Sequence, residues 1–518
     1  MKSSFLSRLP RWVPLLILLL ALGAALRLVN LNAPPLDFHS TRQLRNSLVA
    51  RAIYYDALPT ADPQKRALAE AFRRAVGRYE PPISESLVAF GFLLTGGESF
   101  AIPRLYGTLF WLLAGVALFD LARRMTSPVA GLISLAYYLV LPFAVQASRS
   151  FQPDPLMTSA FVVGVYFLYR WMESHASDSS SGSPRDGSRS TAGIRKWREE
   201  PGWKWAILAA VSLGFATLVK IVIAFLVIGA AVAAVLVALG RSFWRSAQVW
   251  VMAVWMALPA FAYYVLGHPG RSTEYFFSWT VDLIKLIASP HFYADWLGFV
   301  GSLFGLTVLL LAAVGTVLAP SRARWLLLGC WLGYLVYGLV LPFQMFTHSY
   351  YHIQLVPLVA LGLAPAAETL IGKTAGSPRL VKAGLAVLMV VAIGYEGWAA
   401  RSALVAENFS DAPGYWGAVG QAIPPNHSVM ALTQDYGYDL MYWGWRKVDL
   451  WPFDTDLSNV RNAGKDPAAQ FAELTAGEDY FLVTAFGQFE HQPVLKKILA
   501  GYPVAAQGDG YVLYDLRK

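Results

Sequence analysis

Cysteine is almost missing from this chain: among 518 residues only Cys330 is one. A single thiol excludes an intramolecular disulfide, and its place inside an apolar run excludes a cysteine-based metal site. Charge is scarce too. Asp, Glu, Lys and Arg supply 14% of the residues against 56% hydrophobic ones, and the mean hydropathy is +0.44. Soluble domains carry roughly 25% charged residues, so an ordinary soluble protein is excluded. Acid is the rarer sign, 33 residues against 42 basic, leaving a net charge of +9. Here the basic residues fall mainly in short segments between apolar runs, as in cytoplasmic loops. No nucleic-acid partner is expected.

Apolar runs are abundant, and many are near the ~20 residues that a membrane-crossing helix needs. They lie at 12–31, 104–122, 128–147, 155–172, 204–219, 221–240, 247–266, 296–318, 325–345, 353–371 and 381–400, giving about eleven spans of a polytopic α-helical protein. The first run follows Lys2, Arg8 and Arg11. A cleaved signal peptide is the alternative there, but an uncleaved span fits the later topology. Trp205 to Gly240 is nearly all apolar and too long for one span, which predicts a hairpin with its only charge, Lys220, at the turn.

Basic residues set the sidedness. Arg123 and Arg124, the 185–204 segment, Arg241 and Arg245, Arg322 and Arg324, and Lys373, Arg379 and Lys382 all fall on the side of the N-terminus. By the positive-inside rule that side is cytoplasmic, within a cell membrane (inner or plasma membrane) crossed many times. Residues 1–401 then form the transmembrane domain, and 402–518 an extracytoplasmic one. The Ser-, Gly- and Arg-rich segment 174–202 reads as a disordered cytoplasmic loop.

The first outer loop, 32–103, holds helical patterns at 40–56 and 63–78, the second opened by Asp62-Pro63 in cap and first-turn positions. The apolar stretch 83–94 is too short to span and suits the membrane interface. Beyond residue 401 the bursts "SVMALT", "DYFLVTAF" and "GYVLYDL" alternate with helical patterns at 467–475 and 492–499. That alternation reads as a small α/β domain.

Polar residues gather on the predicted outer face. "LDFHSTRQLRN" at 36–46 brings Asp37, His39, Arg42, Gln43 and Arg45, and a helix from Ser40 would stack Arg42 and Arg45 on one face. Arg149 and Asp154 share the short turn "SRSFQPDPLM", and Lys220 sits between two apolar helices, where an ammonium needs an anionic partner. The turn "THSYYH" supplies His348, Tyr350, Tyr351 and His352. The histidines have the i, i+4 spacing of metal ligands, but no third ligand matches, so no metal or other cofactor is expected. Each such residue has a plainer account: headgroup pairing, snorkelling by Lys220 or an interfacial aromatic belt. Together, carboxylates and cations at one depth suit chemistry on an anionic lipid headgroup, with cations on a phosphate and a carboxylate taking a proton from a hydroxyl.

These motifs in this order, "DFHSTRQ", "RYEPPI", "SRSFQPDPLM", Lys220 after "GFATLV", and "HSYYHIQLVPLVAL", resemble the polyprenyl-phosphate-sugar-dependent membrane glycosyltransferases of the GT-C type. That family includes dolichyl-phosphate-mannose protein mannosyltransferases and aminoarabinose transferases. The likeness covers roughly residues 10–400. It implies inverting transfer of a sugar from a polyprenyl-phosphate carrier to a lipid, glycan or protein acceptor at the outer face. It further implies Asp37 as catalytic base, Asp154 as second acid, and Lys220 on the donor phosphate with Arg42 and Arg149 as helpers. His39, Gln43, His348, Tyr350 and Tyr351 would line the substrate pocket. Many members carry Asp-Glu at the first acid, whereas Asp37 is followed by Phe38.

A transporter or flippase for a lipid-linked glycan is the competing reading, and a non-catalytic scaffold the third. A flippase would line the bilayer centre with polar residues, yet these spans are nearly free of charge between their ends. Asn408-Phe-Ser and Asn426-His-Ser fit the glycosylation triplet, a pattern that often arises by chance.

Overall fold

Two units divide the chain between them and interleave along it. The first comprises Met1–Leu31, Arg78–Ser84 and Ala101–Glu407, the second Asn32–Gly77, Glu85–Phe100 and Asn408–Lys518. The computed structural model describes residues 10, 12–180, 201–267, 280–281, 283–406, 408–454 and 466–517. Most of the expected disordered loop at 174–202 lies outside them. Its start does not leave the helix, because the expected 155–172 span is part of a longer helix, Asp154–Ser180.

The first unit is helical. Ala101–Met125, Ile221–Arg245, Ala247–Gly267, Ser321–Val340, Ser349–Lys373 and Arg379–Ala406 are long and apolar enough to cross a membrane. Two bent pairs, Pro128–Val140 with Pro142–Arg149 and Pro290–Phe304 with Leu306–Leu318, raise these six to eight among the described residues. The expected eleven are not reached by this measure. Trp12–Arg27 and Trp203–Val219 are apolar but stop after 16 and 17 residues. At 1.5 Å per residue each reaches only about 25 Å of a ~30 Å hydrocarbon core.

The 61° bend in the first pair follows from one residue. Pro142 has no N–H to give the carbonyl four residues earlier, and it drives Leu141 out of the helical region, to φ −51, ψ 123. The carbonyls exposed by that break find side-chain donors. Trp111 Nε1 donates to Tyr138 O at 3.2 Å and Arg27 Nη1 to Leu139 O at 2.9 Å. Arg27 is fully buried and also donates to Gly23 O and to Ser148 Oγ. The guanidinium at the end of Trp12–Arg27 therefore holds a broken helix together.

The chain breaks at Lys220 as expected, since this residue is extended (φ −156, ψ 118). The two arms do not form a tight hairpin, however. Trp203–Val219 packs mainly on Asp154–Ser180 and Ala247–Phe261, while Ala224–Leu239 packs mainly on Ser321–Val340. Small residues explain the second pairing: a Cβ at Gly229 would lie 2.1 Å from Gly329 O, and one at Gly333 2.4 Å from Phe225 O. Helices in lipid associate where such residues let backbones approach.

The second unit joins the first-loop helices to the C-terminal residues. Ser40–Ala57 and Pro63–Val76 form where the sequence predicts them. Asp62 caps the latter by accepting from Gln64 N at 2.7 Å and Lys65 N at 3.2 Å. Leu44, Leu48, Phe72 and Val76 share one core with Met441 and Tyr442. Arg51 pairs with Glu98 at 3.0 Å and stacks between the rings of Tyr442 and Trp445, at 3.8 and 4.5 Å.

The sheet has the order β2-β1-β3-β5-β4, with β1 (Val429–Leu432), β2 (Asp449–Leu450), β3 (Tyr480–Val483), β4 (Val504–Gly508) and β5 (Tyr511–Asp515). β1 is parallel to β2 and β3, whereas β5 is antiparallel to β3 and β4. The three apolar bursts became β1, β3 and β5. Alternate residues of β1 and β3 enter different cores: Val429, Ala431, Tyr480 and Leu482 meet Trp416 and Leu440, while Met430, Leu432, Phe481 and Val483 meet Trp451 and Phe471. β2 and β4 carried no such signal because they are exposed edges.

Candidate active site

Asp154 opens its helix directly after Pro153, and Lys220 ends Trp203–Val219. Both are buried, at 2% and 3% exposure. Lys220 Nζ lies 2.8 Å from Asp154 Oδ1 and 3.0 Å from Oδ2. The same ammonium stands 4.8 Å from the Tyr350 ring centre and 5.0 Å from that of Tyr351. The charge that the sequence left seeking an anion thus has Asp154. Two opposite charges inside an apolar unit are tolerated when paired and hydrogen-bonded, and the tyrosine faces add cation–π attraction.

The tyrosines are held from behind. Tyr337 Oη donates to Tyr351 O at 3.3 Å, and Gln354 Nε2 to the same carbonyl at 2.7 Å. His352 is fully buried, with Nδ1 2.7 Å from Tyr334 Oη and Nε2 3.0 Å from Met345 O. Both of its ring nitrogens are therefore occupied by protein groups, a packing role rather than half of a metal pair. His348 sits at the edge of this group, its Nδ1 2.7 Å from Thr347 Oγ1 and its ring 5.6 Å from Tyr350.

Arg149 is buried at the end of Pro142–Arg149, just before the turn to Asp154, and its Nη2 donates to Asn30 O at 3.1 Å. Arg104 Nη1 donates to Asn30 O at 3.2 Å and to Leu31 O at 2.9 Å. Asn30 itself is left-handed, with φ 49. Arg27 and Arg104 escaped the sequence reading because a lone arginine at a span end looks like a flanking charge. In the fold Arg27 holds Ser148 beside Arg149, and Arg104 shares the Asn30 carbonyl with Arg149.

The other candidates lie in the second unit. Asp37 is partly buried, and its Oδ1 accepts from Gln43 Nε2 at 3.1 Å. Gln43 is 1% exposed and also donates to Phe38 O at 2.8 Å. Its amide is a clamp on the loop that carries the acid. His39 is the residue before the helix, left-handed at φ 50, with its ring edge-on to Phe38 at 4.8 Å. Arg42 and Arg45 do not share one outward face. Arg45 is buried and donates to Asn46 Oδ1 and Gly77 O, because Ser40–Ala57 runs through the unit's interior. Sequence reasoning missed two carboxyls here. Asp435 accepts from Ser40 Oγ at 2.7 Å and from Thr41 Oγ1 at 2.5 Å. Asp439 is buried beside it, and burial plus the Asp435 charge push its carboxyl up to about 8.

Known proteins resemble the chain in part of the sequence and in overall fold. Residues 79–179, which include Arg149 and Asp154, match the dolichyl-phosphate-mannose-protein mannosyltransferase family. No curated protein matches the chain significantly. Among solved structures, ArnT from Cupriavidus metallidurans bound to undecaprenyl phosphate is similar with a TM-score of 0.55 and 14% identity, covering 97% of each chain. The oligosaccharyltransferase AglB from Archaeoglobus fulgidus, in complex with an inhibitory peptide and a dolichol-phosphate, aligns with a TM-score of 0.54 and 13% identity. That alignment covers 93% of this chain and 70% of AglB. Residues 79–179 thus match a mannosyltransferase family, and the chain has a helical, GT-C-like fold.

Proposed function

We propose that the chain is an inverting glycosyltransferase that takes a sugar from a polyprenyl-phosphate carrier and gives it to a lipid, glycan or protein acceptor outside the cytoplasm. The observation that carries this reading is the Asp154–Lys220 pair under Tyr350 and Tyr351. A buried ion pair at helix ends of an apolar unit, with Asp154 inside the matched segment, is costly to keep for packing alone. In this reading Lys220 and Arg149 hold the donor phosphate, with Lys220 sharing its charge between that phosphate and Asp154. Asp37, steadied by Gln43, takes the proton of the acceptor hydroxyl, and Arg42, His39, His348 and the tyrosines contact substrate. The N-terminus is cytoplasmic and the 402–518 region extracytoplasmic.

Deleting the gene and comparing envelope glycans and lipid-linked sugars by mass spectrometry tests the proposal. Loss of one glycan, with its lipid-linked precursor accumulating and restored by the wild-type chain but not by Asp37→Asn or Lys220→Met, is the expected result. An unchanged glycan profile would overturn it. A reporter fused after Lys518 tests the sidedness and should be active only outside the cytoplasm.

A further inference from the structure

We infer that Asp435, supported by Asp439, is a positioning residue that sets the loop bearing Asp37. The inference rests on the proposed role of Asp37 and gives the C-terminal region a part in the reaction. Ser40–Ala57 begins without a cap of its own: His39 stands at the capping position in a left-handed conformation and makes no side-chain capping bond. Unsatisfied N–H groups and the helix dipole make that end attractive to an anion. The anion comes from 395 residues away, where Asp435 Oδ1 accepts from the Ser40 hydroxyl. Thr41 donates to the same oxygen. One turn on, Gln43 grips Asp37 Oδ1 and Phe38 O. Shifting the start of the helix therefore moves the clamp on the acid.

The presenting loop is built for this task at a cost. Asp435 and Tyr436 are both left-handed, at φ 49 and 56, and Gly437 follows at φ 71. Such conformations strain non-glycine residues and persist only where the surroundings over-determine them. Gly437 has no room for a side chain, since a Cβ would come 2.9 Å from Val448 Cγ2. Met441 and Tyr442, just beyond, pack on Leu44 and Leu48. Asp439 is 2% exposed beside Asp435. Burial and the neighbouring Asp435 push the Asp439 carboxyl up, so a proton on Asp439 eases the repulsion between the two acids.

The test uses the full chain in detergent and in the deletion strain. Asp435→Leu should cut glycan product at least tenfold and speed hydrogen exchange of the 36–46 backbone. Exchange in β1 and β3 and binding of undecaprenyl phosphate should stay unchanged. Asp435→Asn keeps an acceptor oxygen for Ser40 and Thr41 and should recover much of both losses. Unchanged product and exchange in Asp435→Leu overturns the inference, as does faster exchange spreading through β1 and β3, which is simple unfolding. Asp37→Asn separates the two claims: if it retains product, the role of Asp37 falls. If it is inactive while Asp435→Leu behaves as wild type, only the positioning claim falls.

Discussion

Asp154 and Asp37 are carboxylates kept in place by different means. In the helical unit Asp154 meets an ammonium at 2.8 Å. In the second unit Asp37 meets the neutral amide of Gln43 at 3.1 Å. An apolar interior demands that charge be cancelled, because an isolated ion there costs far more than a hydrogen bond returns. In the partly exposed loop the Gln43 amide supplies orientation. In the proposed reaction the acid oriented by Gln43 takes a proton, and the acid bound to Lys220 holds that cation in place.

Asp37→Asn would break that comparison most sharply. It keeps the size and the contact with Gln43 but removes the proposed base, so turnover should fall by ~10²–10⁴-fold with binding of the proposed polyprenyl-phosphate donor retained. If Asp154→Asn abolishes transfer while Asp37→Asn leaves it near normal, the roles are reversed. Next in size, Lys220→Met leaves Asp154 buried without its cation and should cost about 3–5 kcal/mol in detergent unfolding. Lys220→Met with Asp154→Leu should regain most of that stability and none of the turnover, separating charge balance from function.

The second unit has its own ion pair, and Glu98→Gln takes the carboxylate from Arg51. The guanidinium keeps Tyr442, Trp445 and the Tyr442 carbonyl, so a loss of about 1–3 kcal/mol is expected, smaller than at Lys220. Asp439 adds a pH dependence. Its folded carboxyl titrates near 8 rather than in the ordinary range, so between pH 4 and 8 the folded state binds more protons than the unfolded one. Stability should therefore fall as pH rises through this window, and Asp439→Asn should remove this contribution to the slope. The smallest effect is Asp62→Ala, which removes a helix cap and should cost about 1 kcal/mol without changing transfer.

Local pattern was legible in the sequence wherever a short stretch carries its own reason. Asp62-Pro63 announced a helix start because cap and first-turn proline act within four residues. The bursts that became β1 and β3 were readable because strands buried on both faces need continuous apolar residues; β5 was readable from its own apolar run, although it is only half-buried. β2 and β4 were invisible for the opposite reason, being exposed edges. The break at Lys220 was legible as a lone charge in 205–240, but not the splaying of its arms, which depends on Gly229, Gly329 and Gly333 meeting across helices.

The sequence by itself determined that this chain is built of apolar helices with a small α/β region, and which polar residues stand at their ends. Those features follow from period, run length and charge spacing, all local quantities. Only the tertiary structure decided who partners whom: Lys220 with Asp154, 66 residues apart, Asp435 with Ser40, and Arg27 with the carbonyls freed by Pro142. A buried polar group must be satisfied, and the sequence states that need. Which donor or acceptor meets it is settled by the geometry of packed helices, which no local pattern contains.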